Sequence, residues 1–208
     1  MIIGALILTS CQLSPVHFDR EKKGQWNAKI LVKDKKHKRS FILNATFQAV
    51  YPEKLRIDFI TPLGGHLASF LFEGQKAKYY LVKKRVYYVG KVSRRVFSPI
   101  FPLKIHPYWI YNILFDKPFA EKGWKCQWDK KGYLERCKKG KIQVVWKNRY
   151  MKRKFVYISH PLAEIQINFT TFHSYIDQPE KAFQLKIPKG FEVHYLSFFS
   201  DFFKRHKG

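Results

Sequence analysis

Between Trp26 and Ile187, apolar and polar residues alternate with a period of two in several separate stretches. Phe41, Leu43, Ala45, Phe47, Ala49 and Tyr51 fall on one face, with Asn44, Thr46 and Gln48 on the other. Leu55, Ile57 and Phe59 alternate with Arg56 and Asp58, and Ile165, Ile167 and Phe169 with Gln166 and Asn168. Phe183, Leu185 and Ile187 alternate with Gln184 and Lys186. One polar and one apolar face predict half-buried antiparallel strands. Turn-forming residues recur at Tyr51-Pro52-Glu53, Pro62 to Gly65, Glu73-Gly74, Gly132, Gly140 and His160-Pro161. Short strands at such spacing suit a single large sheet, a sandwich or a barrel.

Two stretches break the alternation. Pro107 to Phe115 places Ile110, Ile113 and Leu114 on one side, and Pro107 suits a first helical position. Leu196 to Phe203 groups Leu196, Phe199 and Phe203, and a basic cluster from Lys204 to Lys207 follows. That second helix is expected either to pack on the domain or to lie at a membrane interface. No internal repeat of 20–50 residues is visible.

Residues 1–15 carry no charge. An apolar run, Ile2 to Leu8, leads into Thr9, Ser10 and Cys11. A short apolar run ending in small residues reads as a secretory leader, too short to span a bilayer. Leu8-Thr9-Ser10-Cys11 resembles a bacterial lipobox, whose Cys becomes the lipidated first residue of the mature chain. No Lys or Arg precedes the run, so the leader, residues 1–10, is expected to be truncated at its start. The alternative is a buried N-terminal strand with an incidental Cys. Residues 11–25 would then be the lipidated Cys and a polar tether, residues 26–195 the folded domain and 196–208 a basic amphipathic segment. Gln12 after the Cys leans toward the outer membrane, on its periplasmic face.

Two further cysteines flank a hairpin pattern from Trp124 to Cys137. A two-residue turn at Lys131-Gly132 would set Cys126 opposite Cys137. Opposed cross-strand positions permit a bridge in an oxidising compartment. Two buried free thiols are the alternative.

The chain has 208 residues, 46% hydrophobic and 17% aromatic, enough for a sizeable core. Forty Lys+Arg against fifteen Asp+Glu give a formal net charge of +25. Such charge with many aromatics first suggests nucleic acid. The basic clusters are spread along the whole chain, however, and no nucleic-acid-binding motif accompanies them, so no nucleic-acid partner is expected. They read as solvated hairpin tips or as attraction to anionic outer-membrane lipid. No HExxH, GxSxG, P-loop or GxGxxG pattern occurs, and the eight His show no metal-ligand spacing. Asp58 could join Asp116 or Glu164 only through folding. The expectation is a protein with no catalytic residues, no metal and no cofactor.

Read in order, several phrases carry a resemblance. They are Tyr51-Pro-Glu-Lys-Leu-Arg-Ile-Asp-Phe-Ile-Thr-Pro-Leu-Gly64, then Lys84-Arg-Val-Tyr-Tyr88, then Phe101-Pro-Leu-Lys-Ile-His-Pro-Tyr-Trp-Ile-Tyr-Asn-Ile-Leu114. Gly140-Lys-Ile-Gln-Val-Val-Trp146, Pro161 to Ile167 and Phe183 to Ile187 follow. Across roughly residues 26–190 the chain resembles the LolB family of outer-membrane lipoprotein receptors. Ile187-Pro-Lys-Gly-Phe-Glu-Val193 is similar to LolA, the soluble periplasmic carrier of the same fold.

The resemblance implies a mainly β protein with short helices: an incomplete antiparallel β-barrel, or half-barrel, with a helical lid. Its apolar inner face would hold the acyl chains of a client lipoprotein. Phe41, Leu43, Phe47, Leu55, Ile57, Ile165 and Ile167 would line that cavity, with Trp109 and Ile110 on the lid. Leu63, between Pro62 and Gly64, would be the exposed leucine that inserts lipid into the membrane; an ordinary turn residue folded back on the core is the alternative. The implied partners are lipoprotein clients and a LolA-like periplasmic carrier, met by a lipid-anchored monomer. Carriage of another lipid or glycolipid fits the same fold. A filled core would instead fit an anchored scaffold that binds polyanions or peptidoglycan through its charge.

Overall fold

Trp26, Ala28, Ile30 and Val32 are buried in β1 (Lys23–Asp34), and the residues between them face outward. The same two-residue rhythm builds β2 (Arg39–Val50), β3 (Lys54–Ile60), β4 (His66–Glu73), β5 (Lys76–Leu81) and β6 (Val86–Lys91). On the other side of β1 come β7 (Lys125–Trp128), β8 (Leu134–Lys139), β9 (Ile142–Tyr150), β10 (Arg153–His160) and β11 (Ala163–His173), with β12 (Glu192–Leu196) last. The computed structural model describes residues 15–196. Within them the strands form one sheet in the order β12-β6-β5-β4-β3-β2-β1-β11-β10-β9-β8-β7. Every neighbouring pair is antiparallel except β12, which runs parallel to β6. β1 is the seam: it pairs with β2 over its whole length and with β11 from Gln25 to Asp34. The short edge strands β12 and β7 are not paired with one another, so the sheet is an open half-barrel.

Residues 92–119, between β6 and β7, cover the inner face. They hold α1 (Pro107–Leu114) and bury Val96, Phe97, Phe101, Leu103 and Ile105 against the sheet. A second apolar cluster occupies the outer face, where Leu71 and Tyr87 meet Ile176, Phe183 and Leu185. There the structure departs from the predicted strand over Phe183 to Ile187: α2 (Pro179–Ala182) precedes these residues and they join no ladder. Side chains take the carbonyls that a strand would have paired. The Tyr87 hydroxyl donates to Leu185 O at 2.8 Å, and Arg56 Nη1 donates to Gln184 O at 2.9 Å. Phe183 and Leu185 are buried, while Ile187 is exposed.

Leu196, expected to open a helix, is instead the last residue of β12. A Cβ at Gly90 would lie 2.4 Å from Leu196 Cβ, so the close approach of β12 needs a glycine there. Residues 197–208, with the rest of the expected basic helix, and residues 1–14, with Cys11, lie outside the described residues.

The predicted tether over 16–25 is largely part of the domain. Phe18 is buried at 1% exposure, Val16 N donates to Met151 O, and β1 already begins at Lys23. Two apolar residues, Val16 and Phe18, at the head of a polar stretch set up no sustained periodicity, which is why the pattern missed them.

The β7–β8 hairpin pairs Cys126 with Cys137, and the two are joined by a disulfide. Its turn is built differently from the predicted Lys131-Gly132 pair. Gly132 N donates to Asp129 O, with Gly132 at φ 80°, so Lys130-Lys131 are the central residues. A bulge between Gln127 and Trp128 restores the cysteine register.

Candidate functional site

The inner face is the surface on which the predicted acyl-cavity residues meet. Leu43, Phe47, Leu55, Ile57, Ile165, Ile167 and Ile110 are all buried in one core, with Phe41 and Trp109 partly buried against it. Among the described residues, the space between lid and sheet is not the expected unfilled hollow. The lid fills the sheet's curvature with its own side chains: Phe101 packs edge-on to Phe59, and Phe97 packs on Phe70 and Phe72. What stays open is a void of about 30 Å³ between Leu103, Ile105, Trp109 and Ile113 of the lid and Ile142, Ile158 and His160 of the sheet. That is room for a few water molecules at most. The sequence pattern missed the filling because residues 92–106 follow neither a helical nor a strand period.

The lid is attached unequally at its two ends. His106 caps the start of α1, its Nδ1 accepting Tyr108 N–H at 3.1 Å. Beyond that, the start is held by apolar contact and by an exposed-edge aromatic group, where Trp109 packs edge-on to Phe119 and Trp124. Trp109 Nε1 donates to Glu121 at 3.0 Å. The other end of α1 is clamped from below. Lys154, fully buried on β10, donates to Ile113 O at 2.8 Å, Leu114 O at 2.5 Å and Asp116 Oδ1 at 2.7 Å. Its ammonium also lies 4.1 Å from the centre of the Phe18 ring. Arg149 completes the group, 3.2 Å from Asp116 Oδ2. Burial pushes the Lys154 ammonium down to about 8 against the raising pull of Asp116, and Arg149 adds to the fall. Lys117 donates to Asp19 O, tying the N-terminal segment over the same end.

The strand ends divide the molecule into two rims. At the rim near the void, the turns are β1–β2, β3–β4, β5–β6, β8–β9 and β10–β11. The β3–β4 turn holds Pro62, Leu63 and Gly64. Thr61 O accepts Gly64 N–H, Thr61 Oγ1 accepts Gly65 N–H, and Gly64 supplies the φ of +87° that the turn requires. Leu63 is 99% exposed. It is not folded back on the core.

On the outer face, Asp58 accepts from Arg56 at 2.9 Å and from the Ser69 hydroxyl, which lies 2.9 Å from His66 Nε2. The three residue types are those of a hydrolytic triad, but in the wrong order. Ser69 is fully buried and its hydroxyl donates a hydrogen bond to the carboxylate, so the group fixes the outer cluster through Arg56. Asp116 and Glu164 lie apart from it, on Lys154 and Lys35 respectively. No group of three metal-ligating side chains occurs among the described residues. None of the described helices is long and apolar enough to cross a membrane.

Fold and site together define an open antiparallel half-barrel whose inner face is capped by a lid clamped at one end. The same architecture appears in a solved structure of a LolA superfamily protein. A LolA superfamily protein from Nitrosomonas europaea superposes with a TM-score of 0.50 at 8% identity, over 80% of this chain and 91% of that one. A DUF1329 family protein from Desulfovibrio piger gives 0.47 at 9% identity, over 80% and 91%. No protein-family model and no curated protein matches the chain. The likeness to the Nitrosomonas structure shows the fold alone: this chain is folded like that LolA superfamily protein.

Proposed function

We propose that the protein is an outer-membrane lipoprotein that accepts lipoproteins from a soluble periplasmic carrier. It holds their acyl chains between lid and sheet and delivers them to the membrane through the Leu63 turn. The observation that carries this reading is Leu63 itself. A leucine with 99% exposure on a tight turn packs on nothing in the domain, which leaves its side chain free to enter an acyl layer. The apolar void lies toward the same rim, beside Trp109 and Ile113 of α1.

A void of this size holds no acyl chain, so uptake requires the lid to swing away and the guest to replace its side chains. Exchange of one apolar partner for another leaves only a small difference in buried area, worth about 25 cal/mol per Å². That suits a protein that must both take and release, by binding alone, with no bond made or broken. A lipid-anchored position, on the periplasmic face of the outer membrane through Cys11, would keep the rim close to the acceptor bilayer and raise its effective concentration there.

The packed interior favours one other reading, an anchored scaffold whose lid never moves and whose charge binds polyanions. Transfer of an acylated client from its carrier to vesicles separates the two. The wild-type chain is expected to copurify with acylated protein and to deliver it. Leu63→Glu should keep the client and lose delivery, while its unfolding free energy stays within about 0.5 kcal/mol. If no acyl chain is found in the purified protein by mass spectrometry and no delivery occurs, the scaffold reading replaces this one.

A further inference from the structure

The five turns at the Leu63 rim carry seven cations and no carboxylate: Lys35, Lys36 and Lys38, then Lys83, Lys84 and Arg85, then Lys141. All seven are exposed. The turns at the opposite rim, β2–β3, β4–β5, β7–β8 and β9–β10, carry three cations, Lys130, Lys131 and Lys152, against Glu53 and Asp129. Carboxylates near the first rim are paired within the protein. Asp34 is buried on His37 and Arg39, Glu164 lies 3.0 Å from Lys35, and Glu192 lies 2.8 Å from His194.

Among these cations stand two exposed leucines, Leu63 at 99% and Leu162 at 45%, the latter on the β10–β11 turn. We infer that this rim is a docking surface for an anionic phospholipid bilayer, with the lysine and arginine heads at the phosphates and Leu63 and Leu162 in the acyl layer beneath. Complementary charge supplies the attraction and the two leucines the depth. A nucleic-acid or polysaccharide strand would gain nothing from exposed leucines, and these turns offer no Phe, Tyr or Trp ring on which a base could stack. The inference rests on the proposed function only in turning Leu63 toward a membrane. It adds the lipid class and the residues that select it, and it needs no client.

The test is sedimentation of the full chain bearing Cys11→Ser, which removes the lipidation acceptor, with vesicles of phosphatidylglycerol and phosphatidylcholine or of phosphatidylcholine alone. Binding is expected to the first and not to the second. It should collapse when salt rises from about 0.1 M to about 1 M, as the screening length falls from ~10 Å to ~3 Å. Lys83→Glu/Lys84→Glu/Arg85→Glu should weaken binding by roughly tenfold or more. Lys130→Glu/Lys131→Glu/Lys152→Glu, which changes net charge equally at the opposite rim, should leave it nearly intact. Near-ultraviolet circular dichroism verifies that both variants are folded. Equal losses in the two variants would show that net charge alone acts and would overturn the assignment. So would equal binding to neutral vesicles, or displacement from vesicles by DNA at equal phosphate. Loss of client delivery with docking intact would instead count against the transfer function alone.

Discussion

The two ends of the lid are closed by opposite means. At the Asp116 end, a buried lysine, an aspartate and an arginine meet helix carbonyls in a fixed geometry. At the Trp109 end, apolar surfaces meet around a void, and the polar contacts are partly exposed ones: His106 caps the helix, Trp109 donates to Glu121, and the Tyr108 and Tyr51 hydroxyls meet. Polar contacts inside a protein are directional and costly to leave unmade, whereas apolar contacts tolerate exchange. The first end is therefore suited to be a hinge and the second to be a mouth.

The largest effect expected from breaking that contrast is at the hinge. Asp116→Ala leaves Lys154 and Arg149 without their carboxylate and should cost about 3–5 kcal/mol in urea unfolding. Less than 1 kcal/mol would mean that the clamp is not what closes that end. The next effect lies beside the mouth, where the disulfide braces β7 and β8 next to Trp124. Cys126→Ser/Cys137→Ser should cost about 2–4 kcal/mol, and reductant should reproduce the loss in the wild-type chain. Hydrogen exchange should then rise around Trp109 and Phe119 before it rises at Phe115.

The smallest effect is a pH dependence of the mouth. Burial holds His106 below the usual histidine range, against the raising pull of Glu121, and Arg94 adds to the lowering. The unfolded chain gains this proton near pH 6.5 and the folded chain only at lower pH. Stability from the neutral ring is thus present above about pH 6.5 and is lost as pH falls through the folded value. Protonation also removes the Nδ1 lone pair that caps Tyr108 N–H. His160, lowered by burial and by Lys35, acts with the same sign. His106→Asn retains a cap and should flatten, without abolishing, the fall in stability between neutral and mildly acid pH; an unchanged slope would remove His106 from this role.

Much of this was legible in the sequence. β2, β3 and β11 declared themselves by alternation, α1 by Pro107 and its apolar face, and the Cys126–Cys137 pairing by its hairpin spacing. What was not legible depends on contacts between distant segments. Lys154 sits in a basic run with Lys152 and Arg153 and reads as solvated; its partner Asp116 lies 38 residues earlier. The parallel pairing of β12 with β6 joins segments about a hundred residues apart, as does the outer cluster that replaces the predicted strand at Phe183. The charge is the clearest case. Along the chain the basic clusters look evenly scattered. In an antiparallel meander alternate turns fall on the same rim, and folding gathers Lys35, Lys84 and Lys141 at one end.

The course of residues 15–22 fixes a posture. Pro15 O accepts from Tyr133 and Val16 N–H donates to Met151, so the chain arrives at the rim opposite Leu63. From Cys11 to Pro15 a chain can reach at most about 14 Å, whereas the eight residues of β10 separate the two rims by about 25 Å. Docking of the whole basic rim is thus open to the unlipidated chain, whereas a chain lipidated at Cys11, as proposed, would have to lean, with only part of that rim on the lipid.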